Sequence, residues 1–370
     1  MSETDAVEKA FNFSRFAQRV ARRDASLCER VRLEPALRPP VAEWRQRYLA
    51  TNHGAPAASP GAGADEIDTL LRGLRRELML RTVVRDLALQ APFDELVSDL
   101  SDFADLSIAL ATQAHSATIF GSVTPPHGFS TVAMGKLGAQ ELNASSDIDV
   151  VFVCDEPDAD AMDNLNLLAR RVTRTLNQEQ DGEFVFRVDT RLRPYGDAGP
   201  LVPTLDFIEQ YFVAQGRMWE RLAWLKARVA AGPLGDDLAA LTTPFVFRRY
   251  LDFDAVAGMR ELHAQLRAEK NDPNNIKLGR GGIRELEFGT QLRQLVRGGR
   301  TPLLRTKPTT PALDALAQAG NIGRPECAQL CEDYRWLRRL EHALQYRDDQ
   351  QTQTLPSSEQ ELAALATALG

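Results

Sequence analysis

Met134-Gly135-Lys136-Leu137-Gly138, followed by Ser145-Ser146-Asp147-Ile148-Asp149-Val150-Val151-Phe152-Val153, decides how this chain is read. Two carboxylates stand one residue apart at the mouth of an apolar run. Asp is depleted in strands because its short polar side chain competes for backbone hydrogen bonds. Strand geometry points residues i and i+2 to one face, so Asp147 and Asp149 converge on one spot. At about 4 Å and an effective dielectric of 20, two bare carboxylates repel by roughly 4 kcal/mol. A divalent cation removes that cost, and hard oxygen donors suit Mg²⁺. The pair therefore reads as half of a metal site for phosphate chemistry.

The surroundings support a small sheet. Residues 129–134 read as a short buried strand, 135–143 as a turn and short helix, and 149–154 as a second strand. Residues 162–177 form an amphipathic helix, with Leu165, Leu168, Val172 and Leu176 on one face. Residues 184–189 read as a third strand, and this alternation indicates an α/β unit. Asp189 ends the third strand as Asp147 opens the second. If those strands are neighbours, three carboxylates meet at one sheet edge. Such a trio can hold two Mg²⁺ ions about 4 Å apart, a clamp for in-line displacement at phosphorus. Asp147, Asp149 and Asp189 are the candidate metal ligands and catalytic residues, with Mg²⁺ or Mn²⁺ as the cofactor. Arg191 and Arg193 alternate with Leu192 and offer guanidinium groups suited to phosphate. Gly135 and Lys136 sit where a turn into a helix presents backbone N–H groups to an anion. Ser145 and Ser146 either orient the loop, donate to phosphate or cap it. Taken singly, an acidic pair fits a turn, Arg-Leu-Arg fits an edge strand and Gly-Lys fits any tight turn. Their coincidence at predicted strand ends is what points to one chemistry.

Helices flank this unit. Residues 64–90 carry Ile67, Leu70, Leu71, Leu74, Leu78 and Val83 at helical spacing. Pro92 opens a second long helix, to about residue 119, after an earlier helical pair and a Gly/Ala/Pro/Ser linker at 52–64. Helices return at 208–229, 255–270, 283–297 and 324–346, and another opens at Glu359. The chain stops inside that last pattern, which suggests a piece of a longer protein. The expected class is α+β and mostly helical, with a small α/β unit at 116–205 between helical regions at 1–115 and 206–370.

Composition bounds the function. With 44% hydrophobic and 26% charged residues, the chain matches an ordinary globular protein. The net charge of −7 argues against nucleic-acid binding, which favours a basic domain. No membrane span is expected, because no stretch has 18 uncharged apolar residues, and the acidic N-terminus lacks a secretory h-region. Cys327 and Cys331 share a helix face without a nearby His or Cys to complete a zinc set. Reduced, buried thiols in a cytoplasmic protein are the expectation. Trp219-Glu220-Arg221 is expected on a packing helix, with Trp219 in the core.

The residues resemble the polymerase-β-type nucleotidyltransferases, whose signature is a Gly-containing turn, a spacer of roughly ten and Asp-x-Asp. Lys136 stands where that family has a small residue. A narrower resemblance covers residue 10 onward. Met134-Gly-Lys-Leu-Gly138, Glu141-Leu-Asn-Ala-Ser-Ser-Asp-Ile-Asp149 and Phe186-Arg-Val-Asp-Thr-Arg-Leu-Arg-Pro-Tyr-Gly196 are similar to the bifunctional glutamine synthetase adenylyltransferase/adenylyl-removing family. So are Gly216-Arg-Met-Trp-Glu-Arg221 and Ile276-Lys-Leu-Gly-Arg-Gly-Gly-Ile-Arg-Glu-Leu-Glu-Phe288. The last form resembles the N-terminal, adenylyl-removing half. That resemblance implies removal of AMP from an adenylylated tyrosine by phosphate, releasing ADP, with glutamine synthetase and a PII-type signalling protein as partners. In segment 277–287 the Gly pair serves as a helix start, or Lys277, Arg280 and Arg284 reach phosphate or a partner. Competing readings are forward adenylylation from ATP, a non-catalytic nucleotide-sensing module and, weakest, a nucleic-acid nucleotidyltransferase.

Overall fold

The computed structural model describes residues 2–49, 64–248, 258 and 272–370. The expected linker at 52–64 and helix at 255–270 fall almost wholly outside them. Four short helices open the chain: α1 (Glu3–Phe13), α2 (Arg15–Arg23), α3 (Ala25–Leu33) and α4 (Val41–Tyr48). The first three start on Ser2, Ser14 and Asp24, whose side chains accept from backbone N–H groups in the first turn. Two long helices follow, α5 (Ala64–Leu87) and α6 (Phe93–Phe120). Acidic Asp94 and Glu95 in the first turn of α6 favour its positive end, and Gly121 in the left-handed region stops it.

The sheet comprises β1 (Ser130–Ala133), β2 (Ile148–Val153), β3 (Val188–Asp189) and β4 (Arg228–Ala231), in the order β3-β2-β1-β4. The short helix α7 (Gly135–Gly138) links β1 to β2, which pair antiparallel. The helix α8 (Ala159–Asn177) crosses from β2 to β3, which pair parallel. This is an α+β fold dominated by helix, as the hydrophobic patterning requires.

Alternation along β2 feeds two cores. Ile148, Val150 and Phe152 pack with α5, α6 and α8. Val151 and Val153 point the other way, toward Ile208, Phe212, Trp224 and Phe245. Each such side chain, fully buried, contributes roughly 1.5–3 kcal/mol. Asp147 and Asp149 are in phase with Val151 and Val153, so they lie on the second face.

Two expectations change here. Only Val188 and Asp189 of the expected 184–189 strand pair with β2. The backbone N–H groups of Val185 and Phe186 instead donate to the carbonyl of Leu176 at the end of α8. The expected helix at 208–229 is really α9 (Leu205–Ala214), α10 (Met218–Leu225) and then β4. A new helix start forms where the N–H of Arg217 donates to Glu220, 2.8 Å away. Arg228 leaves the helical pattern because its guanidinium donates to Asp105 of α6 at 2.8 and 3.0 Å and to the Leu137 carbonyl. The sheet thus draws its fourth strand from beyond residue 205.

The remaining α-helices among the described residues are α11 (Gly235–Val246), α12 (Ile283–Arg297), α13 (Thr309–Gln318), α14 (Arg324–Tyr346) and α15 (Glu359–Leu369). The first and last helical stretches meet each other. α1 packs on α15, and buried Arg75 of α5 makes a two-point ion pair with Asp349 at 2.7 and 2.8 Å. No helix among the described residues is long and apolar enough to cross a membrane.

Candidate active site

Asp149 is the centre of the site. It sits on β2 directly beside Asp189 on β3, its partner in the parallel ladder. Asp147 stands two residues before it on the same face. Among the described residues no side chain or backbone donor hydrogen-bonds the Asp149 carboxylate. Burial, followed by the charges of Asp189 and Asp147, pushes its pKa up to about 6. An acid held this high, beside two others and without a donor, has the chemistry of a cation ligand.

Gly135 explains the turn. Its φ is +52°, and a Cβ there would stand 2.9 Å from Asp149 Oδ2. Only glycine lets the β1–α7 turn lie against that carboxylate without strain. Gly138 is tighter, because a Cβ would meet the Lys226 carbonyl oxygen at 2.1 Å.

The other two carboxylates are held by arginines. Asp147 Oδ1 accepts from Arg187 Nε at 2.6 Å, and Arg187 also donates to the Ser145 carbonyl at 2.7 Å. Sequence reasoning did not single out Arg187, although it lies in the quoted strand two residues before Asp189. Asp189 accepts from Arg191, through the backbone N–H at 2.8 Å and through Nη2 at 2.6 Å. Those bonds hold the Asp189 carboxyl below its ordinary value. With Asp147 and Asp189 so engaged, no choice of one oxygen from each of the three carboxylates falls within 4.8 Å of the other two. The structure brings them to one rim without closing them into a ligand set. The donors fit a hard cation of the Mg²⁺ class, provided the two guanidinium groups turn away.

Arg193 is buried and donates to the Thr190 carbonyl and hydroxyl at 2.8 and 2.9 Å, and it pairs loosely with Asp197. Ser145 and Ser146 are buried, and the Ser145 N–H donates to Gln345 Oε1 at 2.9 Å. Lys136 does not face the carboxylate rim. Its Nζ donates to both oxygens of buried Glu341 on α14, at 3.0 and 3.2 Å. Glu341 also faces Arg338 at 3.3 Å. Two cations per anion keep Glu341 ionised, while burial lowers Lys136 to about 8. The network continues inward. Arg338 donates to Tyr334, to Asn143 and to the Glu141 carbonyl, and Tyr334 donates to Glu287. Lys226 faces Glu141 at 3.4 Å and Glu287 at 3.8 Å. α12 and α14 are thereby tied to the backbone that carries the site.

A cavity of about 430 Å³ opens beside Asp149. Gly135, Leu192, Trp219, Leu222, Arg284 and Phe288 contribute to its wall. Trp219 is 41% exposed, so it is not the expected core residue; Trp224, five positions on, is 2% exposed and fills that role. In segment 277–287 the Gly pair does serve as a helix start. Gly282 is the N-cap of α12, while Arg284 lines this cavity and the charge of Lys277 acts on Asp149.

Residues 5–240 match the glutamate-ammonia ligase adenylyltransferase family. The chain belongs to that family. Residues 255–370 match the GlnD PII-uridylyltransferase family. Three relatives are named bifunctional glutamine synthetase adenylyltransferase/adenylyl-removing enzyme. The one from Ralstonia nicotianae is 40% identical over 98% of this chain and 42% of its own length. That from Chromobacterium violaceum is 40% identical over 99% and 42%, and that from Bordetella pertussis 43% identical over 89% and 38%. The chain spans about two fifths of the length of these curated relatives.

Proposed function

We propose that this chain removes AMP from an adenylylated tyrosine of glutamine synthetase by phosphorolysis, and so takes part in regulating nitrogen assimilation. The observation that carries the reading is the register of Asp149 against Asp189, with Asp147 on the same strand face. Residues 276–288 support the direction, since their Lys-Leu-Gly-x-Gly-Gly-Ile-Arg-Glu form resembles the adenylyl-removing half. The relatives' printed names support the substrate, and the second family match supports a PII-type regulator. Asp147, Asp149 and Asp189 would hold Mg²⁺ or Mn²⁺, which when bound neutralises charge on the phosphoryl oxygens and the leaving phenolate.

The chain's own groups do the rest. The Gly135 turn holds the Asp149 carboxylate at the cavity mouth. Arg187 and Arg191 hold the flanking carboxylates in place and, once released, lie within reach of phosphate oxygens. The cavity beside Trp219 and Arg284 receives part of the adenylylated tyrosine. Hydrogenphosphate attacks the AMP phosphorus, and the bond from phosphorus to the tyrosine oxygen breaks. The proton that hydrogenphosphate loses equals the one the phenolate gains, so ADP and free tyrosine account for every atom. A phenol of parent pKa about 10 is a tolerable leaving group under these conditions.

The test is to incubate the chain with adenylylated glutamine synthetase, Mg²⁺ and phosphate, and separately with unmodified enzyme and ATP. ADP release that requires phosphate is expected in the first reaction. AMP incorporation in the second, with no ADP in the first, would replace this reading by forward adenylylation.

A further inference from the structure

Cys327 and Cys331, four residues apart on α14, present both thiols on one helix face. Both are buried, and both are free. What the sequence could not supply is a third ligand, and the fold brings one. Asp314 of α13 packs against them, with Cys327 Sγ 3.5 Å from Asp314 Oδ1. The two sulfurs and one Asp314 oxygen all lie within 4.8 Å of one another. A tetrahedral zinc ion with Zn–S near 2.3 Å and Zn–O near 2.0 Å requires an S···O edge of about 3.5 Å and an S···S edge of about 3.8 Å. The first edge is already present, and the remaining separations, each within 4.8 Å, close with at most about 1.3 Å of side-chain movement. Asp314 is exposed, which gives an ion a path to the buried sulfurs.

We propose that Asp314, Cys327 and Cys331 form a zinc-binding site, completed by one water. The ligand chemistry selects the ion. Two thiolates exclude Mg²⁺ and Ca²⁺ and favour zinc among common cellular cations. The site is separate from the carboxylates on the sheet, which are oxygen-only. Occupancy pins α13 to α14, the helix that also carries Tyr334, Arg338 and Glu341. An unliganded cysteine thiol is mostly protonated at neutral pH. Each zinc bound therefore displaces two protons, and binding weakens as pH falls.

Cobalt(II) titration of the metal-free, reduced 370-residue chain tests this directly, because a sulfur-to-cobalt charge-transfer band cannot arise from a carboxylate site. One equivalent is expected to produce the band, and one equivalent of zinc to abolish it. Zinc calorimetry in two buffers should report release of about two protons per ion at neutral pH. Cys327→Ser and Cys331→Ser should lose the band and at least 100-fold in zinc affinity, and Asp314→Asn at least tenfold, with helical circular dichroism unchanged. A chain that gives no such band at stoichiometric cobalt overturns the proposal. So does a band that persists in a folded Cys327→Ser variant.

Discussion

Asp149→Asn should stabilise the metal-free protein, because this carboxylate is held in a place that disfavours its charge. Its pKa is pushed from 3.8 to about 6. The sign follows from linkage. A folded-state pKa raised above the unfolded value contributes stability that is fully present below about pH 4 and lost as pH rises through about 6. Above that range the ionised carboxylate costs roughly 3 kcal/mol as a ceiling, at 1.36 kcal/mol per pKa unit. Asp149 is partly exposed, so solvent screening trims the expected gain to about 1–2 kcal/mol. Urea unfolding with a chelator present, at pH 7.5 and again near pH 4, measures it. The variant should be the more stable at pH 7.5 and should lose that advantage at the lower pH. With Mg²⁺ added, the parent should gain stability and the variant should not. A variant less stable than the parent at pH 7.5 without metal, or an advantage independent of pH, would refute the reasoning.

Other expectations follow from single contacts. Lys136→Met leaves Glu341 buried with Arg338 as its remaining cation, and should cost about 2–4 kcal/mol in denaturant unfolding. The Lys136→Met/Glu341→Gln double variant should recover part of that loss, because the unpaired charge is gone. Trp224→Ala should cost about 3–5 kcal/mol by opening the core. Trp219→Ala should leave stability within about 0.5 kcal/mol and instead reduce turnover at least tenfold, because that ring walls the cavity. Gly138→Ala should destabilise by about 1–3 kcal/mol, since its Cβ would meet backbone oxygen of Lys226 at 2.1 Å.

Strong local signals made much of this molecule legible. The apolar period of 64–90 and 162–177 is long enough to specify α5 and α8. The Asp-Ile-Asp pair was readable because strand phase is fixed at two, so one face assignment places both carboxylates. What escaped was decided by distant partners. β4 lies in a stretch whose Arg228-Val-Ala-Ala pattern is too weak to compete with a helical reading, and it becomes a strand through pairing with β1 and the Asp105 contact. Val185 and Phe186 look like strand residues, yet their hydrogen bonds go to the end of α8. Trp219 and Trp224 are five positions apart, so one helix carries them on different faces, and local pattern alone did not assign the core position. The Lys136 partner lies 205 residues away on another helix. Asp314 joins the two cysteines only through the packing of α13 on α14.

Anomalous scattering from crystals grown with Mn²⁺ and ADP bears most directly on the carboxylate rim as the seat of phosphate chemistry. The account predicts manganese bonded to oxygens of Asp147, Asp149 and Asp189, with the side chains of Arg187 and Arg191 swung off the carboxylates they grip here. Manganese bound elsewhere, with both guanidinium groups still in place and ADP remote from Asp149, would contradict it.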